Sequence, residues 1–394
     1  MKHQVVFERQ ELFDVNMIIA MTFDVKGEVS SGALQEAFAE AVKCNEILNT
    51  KVVIEPDGSA FYVSSDEPES RLIITEEDLD EVRMREERIR FRIEEGEFIR
   101  AFVNLEEGGM KLLLLMHHMG GDGKSLLYFA EDLLRSLGGE TLQFKEIRTA
   151  EPKGKLDPIS RAIIRSYNRK WNGHVFTFAD MDEAYRAYWK DRKTTVEVEV
   201  LEEEETAKIR EECRKAGAKF TAYLIARLIK DTKGKQDVGL AADYRHDGNR
   251  SMGNQASGTS VVYQYDTSKS IYMNAAAIQK KLDKKLKSED SMSYILNFMG
   301  TLKPTLVDAV NLEHAGAYSD KTSAGLAKLL GFTGKTKDLS ITNLTVADIP
   351  VVYGSFKLER IEFTGPVVSY GKNVVGVITC NGKTVITRHR RTDC

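Results

Sequence analysis

Cysteine, proline and tryptophan are scarce in this chain, with 4, 7 and 2 residues respectively among 394. Cys44, Cys213, Cys380 and Cys394 are scattered and form no CxxC pair. That argues against a disulfide framework or a zinc site and makes a reducing cytoplasm the default location. Cys394 stands last, not four residues from the end where a prenylated cysteine would be. The few prolines, and glycines without a period, exclude collagen-like and low-complexity chains. No apolar run approaches the ~18 residues of a bilayer span, and the start, Met1-Lys2-His3-Gln4, lacks a signal peptide's apolar core. Strong charge of one sign is also missing. Lys and Arg total 56 against 60 Asp and Glu, a net charge of −4, so nothing global points to nucleic acid.

What is present is an ordinary globular mixture, 42% hydrophobic and 29% charged, long enough for two or three domains. The first half alternates strand and helix signals. Strands are predicted at Met17 to Val25, Thr50 to Ile54, Ala60 to Val63, Phe98 to Leu105 and Lys111 to His117. Helices are predicted at Ser31 to Lys43, from its 3.6-residue apolar spacing, and at about Glu76 to Arg88. Four consecutive leucines, Leu112 to Leu115, mark a strand buried on both faces. Residues 140–191, with both tryptophans (Trp171, Trp189), read as a helical crossover between halves. The second half restarts with the alternating strand Thr194 to Val200. Further strands are predicted at Val238 to Tyr244, Thr259 to Tyr265, Leu339 to Thr342, Phe356 to Phe363, and in the Asn381-Gly382 hairpin joining Val374 to Cys380 with Lys383 to Thr387.

The segment after the leucine strand is chemically the richest: His117-His118-Met119-Gly120-Gly121-Asp122-Gly123-Lys124-Ser125. Gly-Lys-Ser opening a helix suggests a phosphate loop, but the first glycine of GxxxxGK[ST] falls on His118, and Asp122 adds negative charge. A metal site is disfavoured because side chains of adjacent strand residues point to opposite faces, and no further ligand group lies at suitable spacing. The third reading is general-base chemistry by one histidine with the other structural, since imidazole titrates near neutrality. Two histidines satisfied in a turn is the plain alternative.

These residues match the HHxxxDG signature, and the chain resembles the chloramphenicol acetyltransferase-like superfamily of condensation domains and acyltransferases. The resemblance is collinear. It includes Leu34 to Leu48, Phe91 to Ala101, Asp243-Tyr244-Arg245 followed by Met252-Gly253-Asn254 and Gly258, and Ser340 to Leu344. It implies an α/β fold of two-layer sandwiches, with half-domains at 1–175 and 176–394 arranged in a V around an active-site tunnel. It implies His118 as general base, and His117, Asp122 and Gly123 as structural members of the motif. The implied reaction moves an acyl group from acyl-CoA or a phosphopantetheine-linked carrier protein to a hydroxyl or amine acceptor, with no bound cofactor or metal. A cytoplasmic monomer is expected. A non-catalytic docking relative is the alternative.

Asn49 stands where the family usually has arginine, so Asp122 needs another partner, and Arg245 is the chemical candidate. Asn254 and Asn343 are candidates for the tunnel wall. The lysine-rich helix Lys280 to Lys287 and the terminal Arg388-His389-Arg390-Arg391 are read as solvated charge. His3, His174, His246, His314 and His389 receive no chemical role.

Overall fold

The leucine strand, Gly109–His117, lies inside a six-stranded sheet and pairs antiparallel with Ile18–Lys26 on one side and Ile99–Glu106 on the other. Leu112 to Met116 are all buried, so the continuous apolar run reflects covering on both faces. The computed structural model describes residues 2–245, 248–333 and 337–393; His246 and Cys394 lie outside them. A second six-stranded sheet runs in the order Ala256–Tyr263, Gln236–Asp243, Leu339–Val346, Asn373–Cys380, Lys383–Asp393, Arg192–Leu201. A small three-stranded sheet joins Lys2–Gln4 to the hairpin Thr50–Ile54 and Ala60–Ser64. The result is a two-lobed mixed α/β fold. No helix among the described residues is long and apolar enough to cross a membrane.

Most sequence-predicted elements lie within a few residues of the observed ones. Ser31–Cys44 is helical, with the Ser30 hydroxyl accepting from Ala33 N–H as N-cap. The charged helix is shorter than its pattern, Leu79–Glu86, because Asp78 caps it by accepting from Asp80 and Glu81 N–H. The crossover carries two helices, Pro158–Lys170 and Phe178–Trp189. Asn381 and Gly382 both have positive φ, the geometry that a two-residue hairpin requires. The strand Arg71–Ile74 was not foreseen; it pairs parallel with Ile99–Glu106 at the sheet edge.

The reading of Arg388 to Arg391 as solvated tail charge is corrected. These residues belong to a strand that continues to Asp393, paired on both sides with Asn373–Cys380 and Arg192–Leu201. Arg388 and Arg390 find Glu199 and Glu197 on the neighbouring strand, and His389 points inward. Cross-strand charge matching accommodates the basic run in a sheet.

Sheets and chain halves do not coincide. Val352–Tyr353 and Phe356–Thr364 belong to the first sheet, where Phe356–Thr364 pairs antiparallel with Ile18–Lys26. The end of that strand is also fastened to the second sheet. Thr387 Oγ1 donates to Phe363 O at 2.6 Å, and Gly376 comes so close that a Cβ there would lie 2.2 Å from the same oxygen. We expect Leu114→Ala, a truncation at a fully buried central position, to cost about 2–5 kcal/mol by urea denaturation.

Candidate active site

The strand Gly109–His117 ends where Phe98 O accepts from His117 N–H, at 3.0 Å, and the next residue breaks away. His118 N–H donates instead to Met17 O at 2.8 Å, and residues 118–120 form a short 3-10 turn. This break sends the two histidines into different surroundings. His117 is buried, its Nδ1 accepts from Met119 N–H at 3.1 Å, and its ring lies 6.1 Å from Phe91. Burial, with His118, Arg90 and Arg100 adding to it, pushes its pKa down to about 3. A neutral ring of this kind holds the turn.

His118 faces Glu11. Its Nδ1 lies 3.5 Å from Glu11 Oε2, and the side chains are 14% and 3% exposed. The contact is longer than a well-formed hydrogen bond, and both atoms are buried without a hydrogen-bond partner. Burial works against charge on His118, but Glu11, helped by Asp122, outweighs it and raises the imidazole pKa. The carboxyl of Glu11 is held from its other side, where Asn254 Nδ2 donates to Oε1. Glu11 lies in a 3-10 turn, Arg9–Glu11, clamped to the helix Pro304–Ala315. Arg9 donates to both carboxylate oxygens of buried Asp308, at 2.8 and 2.5 Å, and Asn311 Nδ2 donates to Gln10 O at 2.6 Å.

Asp122 caps the helix Gly123–Leu137, its Oδ1 accepting from Ser125 N–H at 2.9 Å. Its Oδ2 accepts from Arg245 Nη1 at 2.7 Å and from Gln255 N–H at 2.9 Å. Both side chains of this ion pair are 5% exposed. Burial would raise the Asp122 carboxyl, but Arg245 and the two backbone donors hold it below the usual carboxylate range. Arg245 Nη2 also donates to Ser125 Oγ, at 2.8 Å, and Ser125 Oγ lies 3.0 Å from its acceptor Gly253 O. Gly121 and Gly253 both have positive φ. A Cβ on Gly121 would lie 2.4 Å from Ser125 Cβ, and one on Gly253 would lie 2.2 Å from Arg148 O. The crossover backbone pairs with this second-half loop, Arg148 N–H to Met252 O and Ala150 N–H to Asn254 O.

The structure thus brings His118, Asp122, Arg245 and Asn254 to one junction between the halves. Gly123 opens the motif helix, packed so that a Cβ would lie 3.0 Å from Phe363 and 3.1 Å from Leu344. Asn343 is occupied elsewhere: its Nδ2 donates to Thr221 Oγ1 at 2.9 Å, and its Oδ1 accepts from Thr345 N–H at 2.7 Å. Asn49 is a helix terminator, donating to Val42 O and Asn45 O, both at 2.9 Å. No group of three or more His, Cys, Asp or Glu able to hold a metal occurs among the described residues. Glu11 escaped the sequence reading. Its one signal is a knot of charge, Glu8-Arg9-Gln10-Glu11, wedged between apolar Val5-Val6-Phe7 and Leu12-Phe13.

No family model matches this sequence, and no curated protein matches it significantly. Solved structures do. A trichothecene 15-O-acetyltransferase from Fusarium sporotrichioides superposes with a TM-score of 0.67 at 11% identity, covering 99% of this chain and 90% of that one. The first condensation domain of the calcium-dependent antibiotic synthetase, in complex with a substrate analogue, gives 0.64 at 14% identity, covering 99% and 91%. Polyketide synthase associated protein 5 from Mycobacterium tuberculosis gives 0.61 at 14% identity, covering 98% and 94%. The chain has the two-lobed chloramphenicol acetyltransferase-like fold that condensation domains and this acetyltransferase share.

Two outcomes are expected. Asp122→Ala or Arg245→Met alone strands a buried charge and should cost about 3–5 kcal/mol. The double variant should lose less than the sum, as read by a denaturation cycle. For His117, the native pKa lies below the ordinary 6.5. The unfolded chain therefore binds the extra proton between pH 6.5 and about 3, and stability falls on acidification through that window. In His117→Asn, whose amide oxygen can still accept from Met119 N–H, the pH dependence over that window should be shallower by up to about 5 kcal/mol.

Proposed function

We propose that the protein is an acyltransferase that moves an acyl group from a thioester to a hydroxyl or amine, with His118 as general base. The observation that carries the reading is the setting of His118. It is an ionisable ring at the junction of the two lobes, backed by a buried carboxyl and held by a loop anchored to both halves. A site used only for docking has no physical need for such a ring. The acetyltransferase and condensation-domain neighbours support the same reaction class at the level of fold.

In the proposed step His118 takes the proton of the acceptor O–H or N–H as the oxygen or nitrogen bonds to the thioester carbonyl carbon. The tetrahedral adduct collapses with cleavage of the carbon–sulfur bond, and the imidazolium returns the proton to the departing sulfur. A thioester is already activated, so the scheme requires no metal and no covalent enzyme intermediate. His117 and Asp122 hold the loop. The donor is coenzyme A or a carrier-protein phosphopantetheine, and the acceptor is a small alcohol or amine. The place of action is the cytoplasm, where acyl thioesters are made.

Free-thiol release from a panel of acyl-CoA and acyl-carrier thioesters, with and without alcohols and amines, tests this. Release should depend on an acceptor. His118→Ala should reduce it at least about a hundredfold with the melting temperature preserved. Wild-type rates in His118→Ala, or no release from any donor, would overturn the reading.

A further inference from the structure

Glu11 is a buried carboxyl group whose two oxygens face different partners. Oε1 accepts from Asn254 Nδ2, which comes from the second half of the chain. Oε2 is buried without a hydrogen-bond partner and lies 3.5 Å from the buried Nδ1 of His118, which the backbone carbonyl of His118 also favours in its protonated form. The backbone beneath Glu11 cannot drift far. The preceding Arg9 is locked to Asp308 by a two-point ion pair, and Gln10 O is tied to Asn311. The exposed 14% of His118 excludes Nδ1, so a substrate meets the ring from its other side.

We propose that Glu11 is the positioning residue of the site. Its carboxylate pairs with the His118 Nδ1 proton and so leaves the unprotonated Nε2 to face the acceptor. This inference rests on the reading of His118 as the base. The position of one proton decides the chemistry. With Nδ1 protonated, Nε2 holds a free lone pair and can take a proton. With Nε2 protonated, the exposed side of the ring carries N–H and cannot act as a base. Glu11 accepts an amide N–H at Oε1, which leaves Oε2 to accept from Nδ1. Asn254, in turn, ties the orientation of Glu11 to the docking of the second half. Glu11 touches no reacting atom in this scheme and acts through His118.

The other charged and titratable groups around the pair leave Glu11 in that role. Asp122, on the loop after His118, has its charge engaged by Arg245. Glu8, one turn before Glu11, is pushed up to about 7 by burial and by Glu11. Asp14 is raised to about 6 by burial and binds Ser369. Arg9 and Asp308 engage each other. His117 is neutral, and Tyr62 and Tyr370, pushed far up by burial, stay protonated.

The test has two arms on the full-length protein. In the first, nitrogen-15 NMR of histidine-labelled wild type reads the tautomer of neutral His118. The expected form carries its proton on Nδ1, and a neutral ring protonated on Nε2 overturns the proposal. In the second, thiol release by Glu11→Gln is followed against pH. Glu11 favours the charged imidazole, so its removal should move the acid limb of kcat/KM to lower pH. It should also lower kcat on the order of tenfold to a hundredfold with little change in KM. A purely structural role would lower the melting temperature and leave the limb in place, and an unchanged limb with unchanged kcat overturns the proposal. If the variant does not fold, the wild-type tautomer decides. Turnover surviving in His118→Ala would refute the base assignment while leaving the tautomer measurement intact, so the two failures can be told apart.

Discussion

The Asp122–Arg245 ion pair holds this architecture to a single arrangement. Two charges removed from water are costly unless every lone pair and donor is matched. Here Asp122 accepts from Arg245, Ser125 N–H and Gln255 N–H, so the match is nearly complete. Three of the participants lie on different parts of the chain: the motif loop, the end of the strand Gln236–Asp243, and the loop through Gly253. Separating the halves would expose or strand this pair. The position of the motif helix, and with it the turn that carries His118, therefore follows from satisfying one buried carboxylate.

That turn separates two chemically identical side chains. His117 ends a ladder and is driven neutral by burial, while His118, one residue on, pairs its backbone with Met17 and turns its ring toward Glu11. The distinction comes from where the strand stops. Burial works against charge on both rings; at His117 nothing opposes it, and at His118 the carboxyl of Glu11 outweighs it.

Much of this was legible in the residues, and the limits have physical causes. The leucine run, the amphipathic helix from Ser31 and the Asn381-Gly382 turn are local signals, and the backbone follows them. The partner of Asp122 could be argued from chemistry, because a buried carboxylate needs a guanidinium or its equivalent and Asn49 cannot supply one. Glu11 could not be read in this way. In one dimension Glu8-Arg9-Gln10-Glu11 looks like solvated charge, and only the helix Pro304–Ala315, some three hundred residues on, turns it into a buried network. The basic C-terminal run misled for the same reason, since its acidic partners lie on the distant strand Arg192–Leu201.

The strand Phe356–Thr364 has a consequence for how the molecule is made. Until it emerges from the ribosome, Ile18–Lys26 keeps one row of backbone donors and acceptors unpaired. Synthesis of the intervening residues takes roughly tens of seconds at ordinary elongation rates. Through that interval the nascent first lobe presents an open, apolar sheet edge of the kind that recruits other chains. The first sheet therefore closes on that side only once Phe356–Thr364 has been made.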